Sequence, residues 1–537
     1  MSADGSAQIV ADTSAGEELV PLEREGQAPD ESQGPPDFQC AVCREHFPAE
    51  QVYDVNGVIA CVPCYEKARA AAQSKAETSQ SENAVASPPP RSPARPARLP
   101  LLVKVTCPHC WTQFPPQDVL WVSRHSDLMG DPVLGPDAPL RFLPSRFNPS
   151  GQALDARGMV CQTLACPECH LVIPRVLIET EPLFASIVGV SASGKSYFLT
   201  AMSWELRRRL PMHFAVTFSD ADAVANRTLN HYEELLFLPP DPSRPVQLDK
   251  TDTVGQLLYD QIRFGQQIVS LPRPILFTMR PSSRHPNIEA VGQLSRVVCL
   301  YDNAGEHFNP GEDTTSSPVT QHLGRSRVLM FLYDPTQDPR FRARCRGLSA
   351  DPQLDEQTPT RRQETILLET AARVRQFAGL SATARLERPL VIVVPKADVW
   401  GSLIGLDLSQ EPIFPNAVAG GALDAVDVGR VEDVSTLVRE MLLETAPEFI
   451  AAAEEFCAHV VYIPISALGT SPEMHEGRPG LWVRPNKIKP RWVTVPFLYM
   501  FARWSHDLIG GVRMEPPQMS NVIHEGHVKP EIRIKSE

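Results

Sequence analysis

Apolar residues fall into two textures along this chain, and the boundary lies near Pro182. Before it, apolar positions are scattered among Pro, Gly and Cys. After it, compact apolar runs alternate with stretches of helical spacing. The runs Phe184–Val188, Ile275–Met279, Val297–Tyr301, Val328–Tyr333, Leu390–Val394 and Val460–Ile465 are too short for helices and almost free of charge. They predict strands buried on both faces. Tyr197–Leu210, Thr360–Phe377 and Val434–Met441 repeat their apolar positions at helical spacing, and the aromatic stretch Phe497–Leu508 predicts a closing helix. Strands alternating with helices predict an α/β fold built on a doubly wound, mostly parallel sheet.

The N-terminal third reads differently. Residues 1–36 are rich in Ser, Ala, Glu, Gly and Pro without periodicity, which predicts disorder. A cysteine module over 37–70 follows, then a Pro/Ser/Arg-rich linker over 71–98. A second cysteine module occupies 99–180, the α/β domain 181–512, and a poorly ordered tail 513–537. A chain of 537 residues is too long for one core, and 52 prolines, nearly a tenth of it, suit such linkers. The net charge of −13 argues against a general nucleic-acid or membrane-surface binder. No uncharged apolar run is long enough to span a bilayer. The polar, acidic start lacks the basic-then-apolar pattern of a secretory signal, so a soluble cytoplasmic protein is expected.

Eight of the twelve cysteines form four C-x-x-C pairs, a spacing that in a reducing compartment suits metal rather than disulfides. Cys40 and Cys43 precede Cys61 and Cys64 by a seventeen-residue spacer, which fits four thiolates around one Zn²⁺. Phe47, Val52 and Val58 can form a hairpin between the knuckles, and Tyr65–Ala72 can begin a helix, giving a treble-clef-like or LIM-like module. Cys107, Cys110, Cys166 and Cys169 form the second set across a 55-residue spacer, a zinc ribbon with an insert. His109, Cys161 and His170 are spare ligands there. Four thiolates leave no open coordination position, so both zinc sites are expected to be structural.

Residues 189–196 read Gly-Val-Ser-Ala-Ser-Gly-Lys-Ser, a complete G-x-x-x-x-G-K-[ST] loop between an apolar run and a helical stretch. Gly189, Ser193 and Gly194 would let backbone N–H groups cradle a phosphate at the helix N-terminus. Lys195 would reach the β/γ-phosphates and Ser196 would ligate Mg²⁺. The strand Val297–Tyr301 runs into Asp302-Asn-Ala-Gly305, where Asp302 would hold Mg²⁺ and the Gly305 N–H would contact the γ-phosphate. Lys396 and Asp398, after Leu390–Val394, form a Lys-x-Asp base reader. The Asp carboxylate would accept both guanine N–H donors and the Lys stem would cover the ring. Pro395 stands where Asn or Thr is usual. Ser466 and Ala467 end the next strand as a base-backing loop, with Leu468 for the usual Lys.

The order of these elements resembles the translation-factor-related P-loop GTPases over residues 182–510. Cys166-Pro-Glu-Cys169-His-Leu-Val-Ile-Pro-Arg175 and Ser186-Ile-Val-Gly189-Val-Ser-Ala-Ser-Gly-Lys195-Ser-Tyr-Phe-Leu199 resemble, more narrowly, the bacterial double-GTPase-like proteins, in which a cysteine-knuckle module precedes the GTPase domain. That resemblance covers roughly residues 100–510. It implies a GTP/GDP- and Mg²⁺-dependent hydrolase acting as a molecular switch, and a role in bacterial conflict or defence systems. The zinc modules would present the switch to an unidentified protein partner. Over a hundred residues separate the phosphate loop from Asp302, far more than in small GTPases. Thr251 is the expected switch threonine on Mg²⁺. Glu306 replaces a water-orienting Gln and His307 follows. Both are candidate catalytic residues, and an acid beside the γ-phosphate predicts slow turnover without an activator. Nucleotide state is expected to move the segments around 245–260 and 305–325. A P-loop ATPase and a zinc-based scaffold with a weakly hydrolysing site are the alternatives.

Overall fold

The computed structural model describes residues 37–48, 51–55, 58–67, 100–248, 259–264, 266–302, 321–356, 358–418, 422–475, 477–505 and 508–513. The chain divides into two compact units, Met1–Arg98 and Leu99–Glu537. The expected disordered head, the linker and all but Arg513 of the tail lie outside the described residues. In the first unit, Asp37–Gln39 pairs with His46–Pro48 and Val52–Val55 with Val58–Cys61, both antiparallel, and residues 62–67 are helical. Its small core consists of Cys40, Val52 and Cys61, with Phe38, Phe47 and Ile59 against them. Among the described residues so small an apolar core suits a unit that gains a further cross-link, which a metal at its cysteines could supply.

The second unit opens with a ribbon. Val105–Thr106 pairs with Gln113–Phe114, and Leu164–Ala165 with Val172–Ile173. The insert between them adds Leu120–Val122 and Arg141–Phe142 to the second hairpin, making four strands. Buried Asp155 organises the insert by accepting the backbone N–H groups of Arg124, His125, Arg157 and Met159 at 2.9–3.1 Å.

Seven strands form the central sheet. In chain order they are β1 (Pro182–Gly189), β2 (Val216–Asp220), β3 (Ile275–Pro281), β4 (Arg296–Asp302), β5 (Val328–Leu332), β6 (Leu390–Val394) and β7 (Val460–Pro464). Their spatial order is β2-β3-β4-β1-β5-β6-β7. β1 lies parallel between β4 and β5, and β6 and β7 continue the parallel run. β3 runs antiparallel to both β4 and β2. The sheet is therefore mixed, with four of its six pairings parallel. Residues 282–295, which include the short helical turns Ile288–Ala290 and Val291–Leu294, return the chain from β3 to its antiparallel neighbour β4.

The helices α1 (Lys195–His213), α2 (Arg227–Phe237), α3 (Gln363–Phe377), α4 (Val428–Thr445), α5 (Pro447–Phe456) and α6 (Val495–Trp504) accompany the strands. α1 follows β1 directly, and Phe198, Met202, Leu206 and Leu210 recur every four residues to bury one face in the main core. Leu367, Ala371 and Val374 of α3 enter the same core, so this part of the long span from Asp334 to Arg385 packs against the sheet. Each fully buried large apolar side chain contributes about 1.5–3 kcal/mol.

One patch of the sheet departs from the doubly wound expectation. Alternate residues of β4 enter different cores: Val298 and Leu300 face the main one. Val297, Cys299 and Tyr301 face a second, shared with Val105, Trp111, Phe114 and Ile173 of the ribbon. The ribbon, not a helix, covers the sheet there. The antiparallel hairpin Tyr259–Phe264 with Gln267–Pro272 joins the same core through Ile262, Val269 and Leu271. It lies, with α1, β2, α2 and β3, in the long stretch between Ser196 and Asp302.

Burial opposes the Asp155 charge, but the four backbone donors outweigh it and hold the carboxyl below its ordinary pKa. Asp155→Ala leaves those donors without their acceptor and is expected to destabilise the second unit by about 2–3 kcal/mol in urea unfolding. Because the folded pKa is depressed, the carboxylate stabilises above its unfolded value near ~4 and loses that contribution as pH falls through the folded value. The gap between wild type and variant should narrow on acidification; a gap that widens contradicts the assignment.

Candidate functional site

The parallel strands β1, β4, β5, β6 and β7 point the same way, so the loops leaving their C-terminal ends gather along one edge of the sheet. β1 is the switch point, because the chain occupies one side of it from β2 through β4 and the other side from β5 onward. Ligands of open α/β sheets bind in that crevice.

The loop after β1 turns through Ala192 at φ 63° and Gly194 at φ 92°, and α1 begins at Lys195. No side chain caps this helix, which leaves its first N–H groups directed at the loop. Gly189 is required by close approach: a Cβ there would lie 2.8 Å from the Leu332 carbonyl oxygen and 3.2 Å from Ser193 Oγ. The buried Lys195 ammonium donates to the carbonyls of Gly189 and Val190 at 2.9 and 3.0 Å, which holds it along the loop. Ser196 is half-buried in the first turn of α1.

Asp302 ends β4. Burial pushes its carboxyl up to about 6, while the nearby Lys195 charge works in the opposite direction. Its Oδ1 is buried without a hydrogen-bond partner among the described residues, and so is Ser193 Oγ. A buried carboxylate oxygen lacking a donor is costly. An oxygen so placed could serve a hard divalent cation.

The loops after β5, β6 and β7 are bound to one another. Lys396 takes a left-handed conformation, φ 60°, which is strained for a side chain of this kind. Its ammonium donates to Asp334 Oδ2 at 2.5 Å and Thr336 Oγ1 at 2.9 Å. Asp334 is fully buried, and Gln363 from α3 clasps its backbone, accepting from the N–H at 2.9 Å and donating to the carbonyl at 2.7 Å. Gln337 reaches from the same loop to the Ser191 carbonyl in the loop after β1, at 3.3 Å. Asp334 is thus the hub linking the loop of Lys396 to that of Lys195. Sequence reading missed Asp334, Thr336, Gln337 and Gln363. The Asp-Pro turn after β5 was the available signal.

Asp398 stays open to solvent on one side, but the surrounding protein still raises its pKa, and a hydrogen bond from Ser466 opposes the rise. Ser466 Oγ accepts from the Gly469 N–H at 2.8 Å, which leaves its own proton for Asp398. Ala467 packs half-buried against the main core. The Pro395 carbonyl accepts from the indole of fully buried Trp400 at 2.9 Å, so position 395 is held by its backbone where Asn or Thr is usual. Thr251, Gly305, Glu306 and His307 lie outside the described residues, as does most of the two segments expected to move. From Tyr259 onward the first of those segments belongs to the hairpin packed on the ribbon.

Both cysteine sets converge. The thiols of Cys40, Cys43, Cys61 and Cys64 lie within 4.8 Å of one another, and so do those of Cys107, Cys110, Cys166 and Cys169. The ribbon knuckles repeat one design. Trp111 and His170 both sit at φ 59° and bond back to the Cys107 and Cys166 carbonyls at 3.1 Å. The His109 and Glu168 N–H groups point at the Cys107 and Cys166 sulfurs at 3.3 and 3.4 Å. N–H groups aimed at sulfur favour thiolate, the form that binds Zn²⁺. The spare ligands are engaged elsewhere. His109 Nε2 meets the Val172 carbonyl at 3.1 Å, His170 Nδ1 meets Asp131 at 2.8 Å, and the Cys161 thiol faces the Met159 carbonyl. Cys299, Cys345 and Cys457 are buried. Among the described residues no helix is long and apolar enough to cross a membrane.

No family model and no curated protein matches this chain. Among solved structures it is similar to the signal recognition particle receptor SRb-GTP/SRX complex from Chaetomium thermophilum. The identity is 14% and the TM-score 0.20, over 55% of this chain and 94% of that one.

Purified protein is expected to carry about two zinc ions, one per cluster, by elemental mass spectrometry. Cys40→Ser and Cys107→Ser should each remove one. Loss of both ions from either variant, or a metal-free wild type, contradicts two independent sites.

Proposed function

We propose that this chain binds a guanine nucleotide with Mg²⁺ along the C-terminal edge of its central sheet and hydrolyses GTP slowly, as a switch. The observation carrying this reading is the joining of three loops far apart in sequence. Ser191 of the phosphate loop, Asp334 and Thr336 after β5, and Lys396 after β6 form one hydrogen-bonded chain. Ser466 supports Asp398 beside it. The strand order, with β1 between β4 and β5, supports this reading by gathering these loops beside the switch point.

In this reading the N–H groups of residues 190–196 and the Lys195 ammonium hold the β/γ-phosphates. Ser196 and Asp302 hold Mg²⁺, which would neutralise phosphate charge. Asp398 accepts the two N–H donors of guanine, and the Lys396 stem, pinned by Asp334, covers the base. Adenine presents an acceptor where guanine presents a donor, so the carboxylate would repel it. Glu306 and His307 follow as the candidates for orienting water, with the acid of Glu306 holding turnover low.

Calorimetric titration of zinc-loaded protein with GDP, GTP and ADP in Mg²⁺ tests the reading. Guanine nucleotides should bind at least tenfold more tightly than adenine ones. Lys195→Ala removes a charge-assisted contact and should weaken binding by about 10–100-fold. Asp398→Asn should shift preference from guanine toward xanthine, whose O2 accepts where guanine donates. Adenine preference would assign an ATPase instead, and no binding would leave a zinc-based scaffold.

A further inference from the structure

We infer that the ribbon's cysteine cluster is energetically coupled to the nucleotide site through Tyr301, a positioning residue that fastens the end of β4 to a metal-binding knuckle. The inference rests on the nucleotide-binding reading and adds to it a regulating ligand, the ribbon metal.

Tyr301 is fully buried and immediately precedes Asp302. Its hydroxyl donates to the Pro108 carbonyl at 2.6 Å and accepts from Trp111 Nε1 at 3.1 Å. Pro108 lies between the ligands Cys107 and Cys110, and Trp111 follows Cys110 at the left-handed turn that closes the knuckle. Both partners of the phenol are therefore placed by the loop that presents two thiols to the metal. The ring of Tyr301 stacks on His322, centroids 4.5 Å apart and planes 14° from parallel. His322 Nδ1 meets Ser186 Oγ at 2.5 Å, and Ser186 lies on β1 three residues before Gly189. One knuckle thus braces the ends of two strands, that of Asp302 directly and that of the phosphate loop through His322.

Apolar packing alone would hold a ribbon on a sheet, and phenylalanine would serve it. The buried hydroxyl, satisfied as donor and as acceptor, instead fixes the distance between knuckle and strand end to within a hydrogen bond. A metal that sets the knuckle then sets the position of Asp302. A shift of this strand end on Mg²⁺–nucleotide binding is transmitted to the thiols. Coupling of this kind is reciprocal: whatever factor zinc confers on nucleotide affinity, nucleotide confers on zinc affinity.

The test measures zinc affinity by competition with a chelator of known affinity, using the full chain carrying Cys40→Ser so that only the ribbon cluster holds metal. Mg²⁺–GDP is expected to raise that affinity by about fivefold or more. Tyr301→Phe should retain zinc and GDP binding and a melting temperature close to that of its parent, yet lose most of the enhancement. Trp111→Phe, which removes the donor to the same hydroxyl, should lose part of it, and serves if Tyr301→Phe does not fold. Nucleotide binding with unchanged zinc affinity would overturn the coupling and leave the nucleotide reading intact. Enhancement preserved in both variants would overturn the role of Tyr301. Absence of any nucleotide binding by the zinc-loaded parent would overturn the functional reading and, with it, this inference.

Discussion

The burial of β4 on both faces is the constraint on which the rest of this molecule depends. One strand serves two cores, with Val298 and Leu300 in the main one and Val297, Cys299 and Tyr301 in the one shared with the ribbon. A period of two leaves no freedom: a slip by one residue would exchange the faces and place Tyr301 among aliphatic side chains, away from Pro108 and Trp111. Register is therefore specified twice, by packing on one face and by hydrogen bonds on the other. The carboxylate of Asp302 at the strand's end inherits that rigidity.

The other loops of the crevice are held by polar contacts instead. Buried Asp334 pairs with Lys396, with its backbone clasped by Gln363 and Gln337 extending to the loop after β1. Removing either charge would strand the other in a poorly solvated place, a costlier change than the loss of a surface pair. This network links parts that sequence motifs treat as independent. It also gives the Lys396 side chain a fixed direction although no amide side chain stands at 395.

The fold was legible wherever burial on both faces wrote continuous apolar runs. Leu390–Val394 agrees end to end with its sequence reading, and the other five runs differ by one to three residues. The edge strand Val216–Asp220 was missed because it is short and carries alternating polar residues, a signal shared with loops. Antiparallel β3 could not be told from its parallel neighbours, because composition reports burial and not direction. The cysteine sets were legible because thiol chemistry fixes their spacing; that His109, Cys161 and His170 are engaged elsewhere depends on contacts with Val172, Met159 and Asp131 that spacing does not encode. The phosphate loop, Lys396 and Asp398 stand out by pattern. Asp334, Gln363 and Tyr301 do not, since each acts through a partner tens to hundreds of residues away.

The central claim is that the loops at one sheet edge form a single nucleotide site. Hydrogen exchange on zinc-loaded full-length protein, with and without Mg²⁺–GDP, tests it most directly. The account predicts slowed exchange at residues 190–197, 334–337, 396–398 and 466–469 together, with no change in the ribbon insert over 141–160. Protection confined to one of these loops, or none at all at saturating nucleotide, would contradict it.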